Sequence, residues 1–131
     1  MVTQIDVLMV LLAGVSLIVG MVGIANTTFI SVIERTGEIG LRRALGARSR
    51  HILAQILGEA ILLGALGGLA GASLGMIAVV SVCQTQNWSA VIDWRLPLLG
   101  PVLGLLVGAL AGTFPAWRAA QVQPLEALRG Q

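Results

Sequence analysis

Polar and apolar residues along this chain are segregated into blocks. No charged residue falls between Val7 and Ile33, and the most apolar part of that block runs from Val7 to Ala25. About 20 apolar residues at a rise of about 1.5 Å cross a hydrocarbon core of roughly 30 Å. The block therefore predicts a first membrane span over residues 7–30, with Asn26, Thr27 and Thr28 trailing toward water. A second block predicts a span over residues 52–82, with Ser49 as its candidate cap. A third predicts a span over residues 96–114. Pro97 and Pro101 fall in its opening turns, where a missing N–H costs little, and Pro115 is its expected end.

Small residues recur inside these blocks at helical spacing. Ser16, Gly20 and Gly23 share one side of the first. In the second, Gly64, Gly68 and Ala72 form one row and Gly67, Gly71 and Gly75 a neighbouring one. The third carries an i, i+4 ladder of Gly100, Gly104, Gly108 and Gly112. In lipid, helices associate through packing and hydrogen bonds, and small residues let their backbones come close. Gly64, Gly68, Gly71, Gly104, Gly108 and Gly112 are accordingly expected to pack helices.

Between the first two spans the pattern inverts. Ser31 to Ile52 holds five of the eight arginines and two of the six acidic residues, so it belongs in water. If residues 35–47 are helical, Gly37, Gly40, Ala44 and Ala47 line up as a small stripe, and Ile39, Leu41 and Leu45 supply apolar contact. Glu38 and Arg42 then pair at i, i+4 in the favourable order. Two readings are open at this point: a solvated basic loop that only sets topology, or a surface that docks into a partner's groove.

Composition supports the membrane reading. The chain has 131 residues, 56% hydrophobic, 4% aromatic and 11% charged, against about 25% charged in a soluble domain. Mean hydropathy is +0.93 and the pI about 10.0, although the net charge is only +2. The basicity is local and entirely arginine, which argues against nucleic-acid binding, a role that needs a continuous basic face. By the positive-inside rule the arginine-rich loop and the C-terminal tail, residues 115–131, are cytoplasmic. The N-terminus and the hairpin from Cys83 to Arg95 are then outside. Trp88 and Trp94 are expected at the outer interface and Trp117 at the inner one.

The candidate chemistry is sparse. Cys83 is the lone cysteine, so no internal disulfide can form. A Walker A loop requires a lysine and the chain has none, so ATP chemistry is expected from a partner. No cofactor motif or metal-ligand spacing stands out, and His51 reads as an interfacial polar residue. Gly71-Ala72-Ser73-Leu74-Gly75 matches the GxSxG pattern, but that motif needs a strand-to-helix turn with a base and an acid nearby. Ser73 reads better as a packing residue. Glu59, the intramembrane polar residue, is costly at mid-membrane. It is expected either to hydrogen-bond Asn26, Thr27 or Thr28 structurally, or to handle protons or substrate. Pro124 to Arg129 predicts a short amphipathic helix, lying on a partner or on lipid.

Four stretches carry a family resemblance. They are Glu34-Arg35-Thr36-Gly37-Glu38-Ile39-Gly40-Leu41-Arg42-Arg43-Ala44-Leu45-Gly46-Ala47, Gln55-Ile56-Leu57-Gly58-Glu59-Ala60, Phe114-Pro115-Ala116-Trp117-Arg118-Ala119-Ala120, and Pro124-Leu125-Glu126-Ala127-Leu128-Arg129. In this order and spacing they resemble the FtsX-like permease family, in particular the C-terminal three-span portion of MacB-type ABC exporters. The resemblance implies an all-α integral membrane protein of three transmembrane helices with a cytoplasmic coupling helix, Glu34 to Ala47, between the first and second. It also implies a cytoplasmic ABC ATPase as partner, a homodimer or heterodimer of permeases, a periplasmic adaptor in some assemblies, and residence in a bacterial inner membrane. The family's first span, extracytoplasmic domain and ATPase have no counterpart here, so the chain is expected to be a fragment or to work with separately encoded parts. Export or mechanotransmission driven by ATP hydrolysis is the implied function. A non-transporting adaptor that regulates cell-wall hydrolases is the alternative, and an intramembrane enzyme a distant third.

Overall fold

The structure, a computed structural model, describes residues 2–86, Ser89 and residues 93–121. Among these the regular elements are all helices: α1 (Val2–Glu34), α2 (Thr36–Ala44), α3 (Ser49–Thr85) and α4 (Arg95–Ala120). Three are long and apolar enough to cross a membrane, with mean hydropathies of 2.7, 2.0 and 1.8 over their most apolar windows. In lipid only a helix or a closed barrel satisfies its own backbone, and stray hydroxyls must be satisfied as well. Ser16 donates to the Leu12 carbonyl at 2.8 Å and Ser81 to that of Ile77 at 2.7 Å. At 1.5 Å per residue α1 and α3 are about 50 and 55 Å long, more than the hydrocarbon core requires. The first two blocks read from the sequence are thus the middles of longer helices.

Two helix ends differ from expectation. Ser49 is the first residue of α3 and not its cap; that position belongs to Arg48, in extended backbone (φ −75, ψ 141) with no side-chain capping bond. The preceding turn delivers the chain extended at Arg48, whose carbonyl accepts the His51 N–H at 2.9 Å. Pro115 does not end α4, which runs on to Ala120. Proline lacks an N–H and crowds the carbonyl four residues back, but Pro115 is buried together with Ala111, Ala116 and Ala119. Packing holds a turn that propensity alone would break.

The centre of the fold is the α3–α4 pair. A Cβ placed on Gly108 would lie 2.5 Å from the Ala60 carbonyl oxygen and one on Gly112 2.5 Å from the Ala60 Cβ, while Gly64 faces Gly104 and Gly68 faces Gly100, backbone on backbone. The row of Gly64, Gly68 and Ala72 therefore meshes with the α4 ladder. Gly71, expected to pack, does not take part: it and its row-mates Gly67 and Gly75 have nothing within 4 Å of an added Cβ. One helix face can meet one neighbour, and the two rows lie on different faces.

Helix α1 packs on this pair near its C-terminal end. There Phe29 stacks on Phe114 with centroids 6.4 Å apart, Arg118 lies 5.4 Å over the Phe29 ring, and Val32 enters a core with Ile39, Ile52, Ile56, Ala116 and Ala119. Toward its N-terminal end α1 is bare, with Val10 72% and Val19 66% exposed. Trp94 and Trp117, both exposed, mark opposite ends of α4, about 35 Å apart at helical rise, the spacing of an aromatic belt around a bilayer. Trp88 and the expected tail helix, Pro124 to Arg129, lie outside the described residues.

Candidate functional site

The charged stretch folds as an elbow that carries α2 between α1 and α3. Its first joint is Arg35 (φ −97, ψ 11). The Thr36 hydroxyl donates to the carbonyls of Val32 at 3.0 Å and Ile33 at 2.8 Å, local bonds of the kind that compete with helix continuation. The second joint closes α2 from behind. Gly46 N–H bonds the Arg43 carbonyl and Ala47 N–H the Arg42 carbonyl, each at 3.0 Å, with Gly46 at φ +97. This is a Schellman cap, which requires a left-handed residue that only glycine adopts without strain. The helix expected over residues 35–47 is therefore shorter, and Ala47 lies beyond the cap and off the small stripe.

Within α2 the faces divide. Ile39 and Gly40 are buried, Ile39 inside the core shared by α1, α3 and α4. Ile39 is thus turned inward, away from any docking partner, because its branched side chain fills the junction of three helices. Gly37, Ala44 and the carboxylate of Glu38 are exposed. Leu41 is 56% and Leu45 81% exposed. Glu34 closes α1 in an exposed position.

Polar side chains tie the elbow to the spans. Arg42 contacts Glu38 on its own helix and donates to Gln55 Oε1 on α3 at 2.9 Å. Arg35 reaches Glu59 Oε1 at 3.3 Å. Arg43 Nη1 donates to the Ala120 carbonyl of α4 at 2.7 Å. Arg35, Glu38, Arg42, Gln55 and Glu59, with the core beneath them, border a cleft of about 340 Å³ between α1, α2 and α3. Glu59 finds its partner in Arg35 and not in the Asn26 to Thr28 run: Thr27 bonds back to the Gly23 carbonyl, and the buried Thr28 hydroxyl has no partner. Arginine's reach of several ångströms beyond its own backbone is what sequence spacing did not reveal. The Arg35, Arg42 and Arg43 contacts run 24, 13 and 77 residues along the chain, beyond any helical periodicity.

The GxSxG stretch has no such setting. The Ser73 hydroxyl donates to the Leu69 carbonyl of its own helix at 2.8 Å, and the motif sits in mid-helix instead of on a strand-to-helix turn. His51 lies six turns away on α3, at its first turn.

Residues 10–124 match the family described as FtsX-like permease C-terminal. The chain is 41% identical over 118 residues to an uncharacterized ABC transporter permease, YknZ, of Bacillus subtilis, covering 90% of this chain and 30% of that protein. It is 41% identical over 124 residues to the macrolide export ATP-binding/permease protein MacB of Bdellovibrio bacteriovorus, covering 95% and 19%. An uncharacterized ABC transporter permease of Methanocaldococcus jannaschii is 37% identical over 133 residues, covering 97% and 33%. The chain thus spans from 19% to 33% of the length of these relatives.

Proposed function

The chain belongs to the FtsX-like permease family, and from that premise we propose that it works as part of the permease subunit of a MacB-type ABC transporter. In this reading α2 is the coupling helix. A cytoplasmic ATPase, either a separate chain or another part of a longer polypeptide, docks on it, and closure of the ATPase pushes α2 against the spans. The α2 end of the bundle and the C-terminus then face the cytoplasm, and two permeases pair through the bare part of α1. Export or mechanotransmission is the output.

One observation carries the reading: α2 has two unlike faces. Ile39 anchors one in the core, while Leu41 and Leu45 stand in the open on the other. A loop that only set topology would need its arginines but no exposed leucine on a capped, anchored helix. A short helix presenting apolar anchors between charged residues suits a partner's groove. The relatives named as ABC transporter permeases favour this over a non-transporting adaptor.

Co-purification tests it. The native chain, extracted in mild detergent from its own cells, should retain an ABC ATPase, and Leu45→Glu should lose at least tenfold of it while still inserting. Equal retention by the variant would remove α2 from the docking surface.

A further inference from the structure

Covalent continuity ties α2 to α1 and α3. Its links to α4 are made through space, by Ile39 in the shared core and by the polar side chain of Arg43. Arg43, in the last turn of α2, sends Nη1 to the Ala120 carbonyl at 2.7 Å across 77 residues of chain. Ala120 is the final residue of α4. The last carbonyls of a helix have no intrahelical donor and carry the negative end of its dipole. A guanidinium there makes a charge-assisted bond, stronger than a neutral one. Arg43 is half-buried, and Ala119 and Ala116 beside the contact are buried against Ile39. The bond therefore sits over the core, sheltered on one side from water.

The rest of the fold makes this contact consequential. α3 and α4 are meshed through their glycine rows, so they move together. α2 is tied to the α3 side by Arg42 and Gln55. Arg43 supplies the matching polar tie on the α4 side, beside the apolar contact of Ile39. A push on α2 held by only one of these ties would tilt it about that tie; held by both, it drives the pair as one body. We propose that Arg43 is the positioning residue that carries displacement of α2 into α4, by holding the C-terminal turn of α4. This rests on the reading of α2 as the coupling helix and adds the route by which its motion leaves. Arg43 then faces inward to the bundle, while Leu41 and Leu45 face the ATPase.

Amide hydrogen exchange on the assembled permease and ATPase in lipid nanodiscs tests the proposal. Without nucleotide, Arg43→Met keeps the aliphatic reach but removes the donor, and amides of residues 117–121 should exchange about tenfold faster. Arg43→Lys, whose ammonium can also donate, should restore much of that protection. Addition of a non-hydrolysable ATP analogue should change exchange in α2 and in the last turn of α4 of the native assembly, and in α2 alone of Arg43→Met. Unchanged exchange in Arg43→Met, or an α4 response that survives it, overturns the proposal. If the native assembly shows no nucleotide response even in α2, the coupling reading itself fails, while the nucleotide-free comparison still decides whether Arg43 holds α4.

Discussion

Glycines on α1 and those on the meshed faces of α3 and α4 look alike in sequence and have opposite surroundings. Gly64 and Gly104 press backbone on backbone, whereas Gly14, Gly20 and Gly23 have nothing within 4 Å of an added Cβ. Small residues at i, i+4 make close approach possible; they do not name what approaches. α3 and α4 mesh where both carry a row of small residues on facing sides. α1, separated from α3 by the elbow, packs on the pair through Phe29, Val32 and the core.

A bulky residue on the meshed side should do the most damage. Gly104→Leu should cost about 1–3 kcal/mol or more, as overpacking does, because the nearest atoms belong to the Gly64 and Gly68 backbones, which cannot step aside. A denaturant titration in detergent micelles, read by tryptophan fluorescence, would show the midpoint fall. A midpoint equal to native would mean that the two helices are not in backbone contact.

Next in size is the elbow's rear joint. Gly46→Val places a β-branched residue at φ +97, where backbone strain is of order 1–3 kcal/mol. The same titration should register it, and Gly46→Asn should recover part of the loss, since Asn tolerates the left-handed region. A variant as stable as native would remove the cap from the set of restraints on α2.

A lesser change is expected at Glu59. Its pair with Arg35 is 3.3 Å long with side chains 42% and 53% exposed, and such pairs are worth at most about 1 kcal/mol. Glu59→Gln should shift the midpoint within that range and leave nucleotide-dependent exchange intact. Loss of the nucleotide response in a folded variant would instead assign Glu59 a part in the working cycle.

The mildest substitution probes the open row of α3, where Gly71 lies. Gly71→Ala should be neutral or stabilising by up to about 1 kcal/mol, as alanine is the better helix former. A cost approaching that of Gly104→Leu would show that another chain or span covers this row in the membrane.

Much of this architecture was legible in the pattern of the chain. The three apolar blocks and the charged stretch between the first two give the helices and the elbow directly, because lipid excludes charge and demands helical backbone. Glu38 with Arg42 and the ladder from Gly100 to Gly112 were legible too, since both depend on one helix's own periodicity. Pro115 misled because buried packing outweighed its helix-breaking tendency. Ile39 looked like a docking residue because spacing gives a face but not which neighbour it meets. The Arg35 and Arg43 contacts needed the fold, since long side chains join positions whose separation in sequence carries no period.

Everything proposed for α2 depends on its turning Leu45 outward to an ATPase while Ile39 stays in the bundle. Photo-crosslinking in intact cells, with a benzophenone-bearing residue placed at position 45 or at position 39, separates the two faces. The expected outcome is a crosslink to an ABC ATPase from position 45 and none from position 39. A crosslink from position 39, or none from position 45 in a chain that inserts and folds, would mean that α2 does not present this face to the ATPase.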